Sequence, residues 1–252
     1  MTNLCIAAAQ SISLAGDLLA NIARHQCYIE AAAVQGVQLL VFPELSLTGY
    51  ERGLAAQLAI APQDPVLQPL RDFAQEMGVT AVVGMPIRLS ADSPVLIGAL
   101  VLAADGSLAV YTKQNLHAGE EVAFAAGTGG SMLTLGHDRI SLAVCADFSH
   151  ASHARNAAKM GADVYAASVL ITEGGYAPDT ALLQGYALEH SMAVLMANHG
   201  GVTGGWESAG RSAIWAPDGS LIVAAPGVGD ALVVARRNRE GWSGQVVDVA
   251  NV

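Results

Sequence analysis

Positive charge is scarce in this chain. Only 12 of its 252 residues are Lys or Arg, against 22 Asp or Glu, for a formal net charge of −10. There is no basic stripe and no run of like charges. A nucleic-acid partner is therefore not expected, because phosphate binding needs clustered Lys and Arg. Cysteine is also sparse: Cys5, Cys27 and Cys145 form no CxxC pair and no regular spacing. That set excludes a disulfide framework and points to reduced thiols in a cytoplasmic protein. No apolar run approaches the ~20 residues of a membrane span. The opening MTNLCIAAAQ lacks the basic flank and long apolar core of a signal peptide.

Small apolar residues are what the chain has in quantity. It is 52% hydrophobic with 27 glycines, which fits a compact α/β enzyme with a sizeable core. No Pro- or Ser-rich linker interrupts it, so a single domain is expected over residues 1–252. Short apolar runs read as buried strands at 4–9, 37–42, 79–84, 164–169 and 193–198. Helical patterns precede or follow them, from about Asp17 to Gln35, Pro65 to Met77, His150 to Met160 and Thr180 to Ser191. Asp-Gly turns suggest hairpins in the middle and in the tail, the latter around Pro217-Asp218-Gly219. This alternation implies an α/β fold with mixed sheets, more than one of them. The glycine-rich GTGG and NHGGVTGG stretches lack phosphate-binding spacing and read as turns.

Reactive residues in α/β sheets gather beyond the carboxyl ends of strands. Three residues stand there: Glu44 after LLVF, Lys113 after LAVYT and Cys145 after ISLAV. Each alone has an ordinary reading, as a loop carboxylate, a solvated lysine and a small buried hydrophobe. Together they make a chemical set. A thiol near a helix start and beside a cation has a lowered pKa. A glutamate can take its proton and later activate water. A lysine can hold the oxyanion formed by attack on a carbonyl. Lys113 is one of only two lysines in the chain.

FPELSLTGY, YTKQNLHAGEE and RISLAVCADF, in this order, resemble the three signature segments of the nitrilase (carbon–nitrogen hydrolase) superfamily, in its amidase-like branch. The likeness extends from the opening strand with Gln10 to the late AN and PDG segments. It implies a four-layer α-β-β-α sandwich with two mixed sheets and a Glu-Lys-Cys triad of Glu44, Lys113 and Cys145. Aligning GEEVAFAAG on Phe124 and Gly127 gives Glu120 the part of the family's second glutamate, with Glu121 the fallback. The backbone N–H of Ala146 takes the oxyanion role, although the family commonly has an aromatic at that position. Asp147 matches a carboxylate that starts the next helix or hydrogen-bonds structurally. Where the family often has Pro-Glu, this chain has Ala151-Ser152, and Arg155 reads as structural.

His150 and His153 share a helix face, but nothing else is spaced for a metal site, and no metal or organic cofactor is expected. An isochorismatase-like hydrolase would want an aspartate after the first strand, where this chain has Gln10. A non-catalytic interaction protein of the same fold would have no use for all three of Glu44, Lys113 and Cys145.

The resemblance implies hydrolysis of a small linear amide to an acid and ammonia through a thioester. A nitrile or an N-carbamoyl amino acid is the alternative substrate. Tyr176 and Trp206, in the Gly174–Pro178 and Gly200–Glu207 segments, are candidate pocket walls. A homodimer is also implied, packed through helices beyond Cys145 that carry Ala154, Ala157, Ala181 and Ala187.

Overall fold

The computed structural model describes residues 3–249. The N-terminal half runs β1 (Leu4–Gln10), α1 (Leu18–Val34), β2 (Leu39–Val41), α2 (Ala55–Leu58), α3 (Gln68–Glu76), β3 (Thr80–Ile87), β4 (Leu96–Leu102) and β5 (Leu108–Thr112). The chain continues through β6 (Leu133–Leu135), β7 (Asp138–Val144), α4 (Ala151–Lys159), β8 (Val164–Val169), α5 (Glu173–His190) and β9 (Ala193–Asn198). It ends in β10 (Val202–Thr203), β11 (Trp206–Glu207), β12 (Ala213–Trp215), β13 (Leu221–Ala224), β14 (Ala231–Asn238) and β15 (Gly241–Val247). One seven-stranded sheet has the order β15-β14-β1-β2-β3-β4-β5, and a six-stranded sheet has the order β13-β12-β9-β8-β7-β6. Both are mixed: β1, β2 and β3 run parallel, as do β7, β8 and β9, with antiparallel strands outside them.

Strand alternation builds the four layers. On β1, Leu4, Ile6 and Ala8 enter the core between the sheets, while Cys5, Ala7 and Ala9 face the layer of α1 and α3. On β7, Ile140, Leu142 and Val144 point between the sheets and Ala143 packs toward α4 and α5. Successive residues of a strand face opposite sides, so a strand buried on both faces must be apolar throughout, as these are. Each fully buried Val, Leu or Ile contributes ~1.5–3 kcal/mol. The result is the expected α-β-β-α sandwich.

The helices begin and stop where local chemistry directs. Asp17 caps α1 by accepting from the Ala20 N–H at 3.1 Å. Two elements depart from expectation. α5 starts at Glu173, seven residues before the expected Thr180, and runs through Pro178. The carbonyl that Pro178 leaves without a donor belongs to exposed Gly174, where water can serve it. The small residues expected to pack two sandwiches together mostly do something else. Ala154, Ala157 and Ala187 are buried against the protein's own β8 and β9, and only Ala181 is exposed.

Candidate active site

Two of the three strand-end residues, Glu44 and Cys145, line one cavity, and Lys113 is buried behind it against Glu44. Glu44 lies three residues past β2, Lys113 directly follows β5, and Cys145 directly follows β7. Lys113 is fully buried, and its Nζ donates to Glu44 Oε1 at 2.6 Å and Glu120 Oε1 at 2.8 Å. Glu120 is likewise buried, taking the Tyr50 hydroxyl on Oε1 at 2.6 Å and the His117 N–H on Oε2 at 2.7 Å. Glu121, by contrast, is exposed and only accepts from the Gly119 N–H. The structure therefore brings Glu120, not its neighbour, to the lysine.

Close backbone approaches hold these residues in place. A Cβ on Gly84 would stand 2.4 Å from the Leu45 nitrogen, so only glycine lets β3 press against the Glu44 segment. Gly127 does the same for the lysine: its N–H donates to the Lys113 carbonyl at 2.7 Å, and a Cβ there would be 2.3 Å from Thr112 Oγ1. Asp147 ties the lysine segment to the cysteine turn. Its Oδ1 accepts from the Gln114 and Asn115 N–H groups at 3.0 and 2.8 Å, and its Oδ2 from the Tyr111 hydroxyl at 2.7 Å and the Val144 N–H at 3.1 Å. This is the structural carboxylate expected from the sequence.

Cys145 adopts φ +43°, the left-handed region, as does Leu45 beside Glu44 at φ +54°. Side chains with a Cβ rarely accept this conformation without surroundings that impose it. It ends β7 abruptly and starts a single 3₁₀ turn over Cys145–Asp147. The N–H of Ala146, second in that turn, has no acceptor within the turn itself, and Ala146 lines the cavity.

The charge balance differs from the sequence expectation in one respect. The Cys145 thiol is pushed up, not down: burial is the main cause and the Glu44 charge the next, which together outweigh the opposing pull of Lys113. The full helix α4 begins only at Ala151, too far along to supply its dipole to the sulfur. Glu44 is raised to about 7 by burial, with Lys113 lowering it and Glu120 raising it again. Burial would lower Lys113, but the charges of Glu44 first, then Cys145 and Glu120, outweigh it and hold the lysine above its usual value.

The cavity holds about 250 Å³ and is walled by Glu44, Tyr50, Cys145, Ala146 and Trp206 among others. Trp206 is among the lining residues. Tyr176 is not. Its hydroxyl donates to the Arg211 carbonyl at 2.9 Å, and the Arg211 guanidinium lies 3.8 Å over its ring. One turn further along α5, Asp179 occupies the place expected of it. His153 is bound by Tyr111, Gln114 and Tyr165. Among the described residues, no three His, Cys, Asp or Glu side chains are grouped to hold a metal.

Two site residues were missed in the sequence. Tyr50 lay in FPELSLTGY, but nothing in that string links it to Glu120. His199 lay in NHGG, read only as a turn. Its Nε2 donates to the Glu44 backbone carbonyl at 2.7 Å, while burial lowers the imidazole to about 4 and keeps it neutral. Its Nδ1 is buried without a partner among the described residues. His199 thus fixes the backbone of Glu44. His199→Leu is expected to strand that carbonyl, costing ~1–3 kcal/mol and lowering kcat by about tenfold to a hundredfold with KM little changed. His199→Gln, which keeps a donor, should recover much of kcat; equal kcat in parent and His199→Leu would refute the assignment.

A model of the family described as carbon-nitrogen hydrolase matches residues 5–244. The chain belongs to the carbon-nitrogen hydrolase family. It is 30% identical over 234 residues to a hydrolase in the pqqF 5′ region of Pseudomonas protegens, covering 89% of this chain and 79% of the relative. It is also 30% identical over 208 residues to a nitrilase of Pyrococcus abyssi, covering 80% of this chain and 77% of the relative. Among solved structures, the amidase from Nesterenkonia sp. AN1 superposes with a TM-score of 0.84 at 27% identity, covering 92% of each chain. That structure is a Glu→Gln variant carrying the product of Michael addition of acrylamide at its active-site cysteine. Another, a Cys→Ala variant with TM-score 0.83, 28% identity and 92% of this chain covered (89% of that one), is in complex with butyramide. The protein is a carbon–nitrogen hydrolase of the amidase-like branch, with Cys145 at the cysteine position.

Proposed function

We propose that this enzyme hydrolyses a small linear amide to a carboxylic acid and ammonia through a thioester on Cys145. The observation that carries this reading is Lys113 Nζ, held between Glu44 and Glu120, with Glu44 and Cys145 lining the same cavity. Because the thiol is pushed up, the proton passes to Glu44 as sulfur attacks the carbonyl, not in a prior ionisation. Two of the three Lys113 N–H groups are engaged by the carboxylates, leaving the third for the oxyanion together with the Ala146 N–H. Protonated Glu44 returns its proton to the departing nitrogen, and ammonia leaves. Glu44 then takes a proton from water, which attacks the thioester and releases the acid and the thiol. Glu120 and Tyr50 hold Lys113 in register.

A cavity of about 250 Å³ is below the usual range for drug-sized ligands, which supports a short acyl chain. The butyramide held by the Nesterenkonia amidase fits the same scale. The proposal includes a single domain, a cytoplasmic setting and a homodimer. The dimer is supported by Met160 and Leu188, exposed on the α4–α5 layer.

Ammonia release from a panel of linear amides, nitriles and N-carbamoyl amino acids tests the reading, with intact-mass detection of acylated Cys145. The base form of Glu44 is the active one, so kcat/KM should rise with pH through about 7. It should then hold level, since Cys145 and Lys113 titrate far above. Turnover of nitriles alone, or no acyl adduct on Cys145, would reject the proposal.

A further inference from the structure

The base and the nucleophile hang from different sheets. Glu44 follows β2 of the seven-stranded sheet, and Cys145 follows β7 of the six-stranded one. The surfaces that meet between the sheets are apolar here, with Val41 on one side and Val144, Ala166 and Ala197 on the other. Apolar packing is non-directional, so it does not by itself set a carboxylate against a sulfur. A hydrogen bond across the gap has a direction and a length.

The β2–β3 ladder stops short of Glu44. The Phe42 N–H donates to the Val82 carbonyl at 2.9 Å, and the next bond of a parallel ladder would run from the Gly84 N–H to the Phe42 carbonyl. The Gly84 N–H goes instead to Ser46 Oγ at 3.2 Å. His25 sets that hydroxyl. Its Nδ1 lies 2.7 Å from the Asn21 carbonyl, which only accepts, so Nδ1 carries the proton and Nε2 accepts from Ser46 Oγ at 2.9 Å. Burial lowers the imidazole to about 3 and keeps it in this neutral form.

The Phe42 carbonyl, buried and without its ladder donor, is taken from the opposite sheet, where the Ser168 hydroxyl donates to it. Ser168 is itself buried, on the face of β8 that it shares with Val164 and Ala166. Its register partner on β7 is Val144, the residue before Cys145. One hydroxyl thus joins the strand position beside the nucleophile to a carbonyl two residues before the base. Leu45, next to Glu44, sits in the left-handed region, which persists only where the surroundings impose it. Glu44 Oε1 is held by Lys113, while Oε2 is buried with no partner among the described residues. Oε2 is the atom left to receive the Cys145 proton.

We propose that Ser168 is a positioning residue of the hydrolysis, whose hydroxyl fixes Glu44 relative to Cys145 without touching substrate. The inference rests on the amidase reading above for turnover, and on proton transfer from Cys145 to Glu44 alone for the reactivity of the thiol.

Ser168→Ala, compared with Val164→Ala on the same strand and face, tests this. Both remove atoms from between the sheets, but only the first strips the Phe42 carbonyl of its donor. Ser168→Ala should lower kcat on butanamide by about tenfold to a hundredfold, with KM changed by less than about twofold. The rate at which iodoacetamide alkylates Cys145 should fall in the same proportion, since that attack also needs Glu44 to take the proton. Val164→Ala should lower the urea midpoint while keeping both rates within about twofold of the parent. The inference is overturned if Ser168→Ala retains both rates, or if Val164→Ala loses them equally. A parent that turns over no amide, while Ser168→Ala still slows alkylation, would overturn the amidase reading and leave the positioning of Glu44 standing.

Discussion

Lys113→Met is expected to abolish turnover and to cost about 3–5 kcal/mol of folding stability, the usual result of stranding buried charge. Lys113 is fully buried and donates to two carboxylates that are themselves buried. Methionine fills similar volume, so the loss would be electrostatic and not a cavity effect. The pH dependence gives the diagnosis. Glu44 already titrates at about 7 in spite of the lysine, whose charge is the largest influence lowering it. Without that charge its folded pKa rises further above the unfolded value. A carboxyl raised in this way binds its proton more tightly when folded, so the folded state gains relative stability as pH falls. The deficit of Lys113→Met should therefore be largest at pH 8 and shrink toward pH 5 in urea unfolding. Adding Glu44→Gln and Glu120→Gln should restore much of the stability and none of the activity. An identical deficit at both pH values would mean that Lys113 acts by packing alone.

The framework of this site was legible because strand ends can be read from apolar runs. LAVYT and ISLAV stop directly before the residue that carries the chemistry and LLVF one residue short of it, and buried strands on both sheets have little freedom to be anything else. Glu120 was legible through Phe124 and Gly127, and the structure gives the physical reason for the glycine: the Gly127 N–H meets the Lys113 carbonyl. What was not legible depends on approaches between distant segments. His199 reaches Glu44 across 155 positions in the chain, and no local pattern encodes that. β15 was hidden because most of its residues are exposed, so GWSGQVV has no apolar run to announce it.

The direction of the Cys145 shift was misread for a similar reason. Sequence places the thiol near a helix and a lysine, both of which lower a thiol pKa. It does not show that the sulfur is buried, the main cause of the rise, nor that the lysine beside it is already shared by two carboxylates. The same limit applies to Tyr176. It was read as a pocket wall ahead of a helix starting at Thr180, whereas the helix starts at Glu173 and runs through Pro178, and the ring lies against Arg211.

Cys145→Ala should reduce hydrolysis by about a million-fold, the scale seen when a covalent nucleophile is removed. Residual activity near that of the parent would end the thioester route. The glycine variant adds a second measurement that catalysis cannot influence. Cys145 is held at φ +43°, where an L-residue costs roughly 1–2 kcal/mol. Alanine keeps that strain, and glycine releases it at an entropic cost of roughly 0.5–1 kcal/mol. Cys145→Gly should therefore be more stable than Cys145→Ala by on the order of 0.5–1 kcal/mol, a Tm about 2 °C higher for a chain of this size. Both should be equally inactive. A glycine variant less stable than the alanine one would show that the surrounding turn does not strain this residue. The reverse would mean that the left-handed turn is kept at a cost to the fold because it aims the sulfur into the cavity, between Glu44 and the Ala146 N–H.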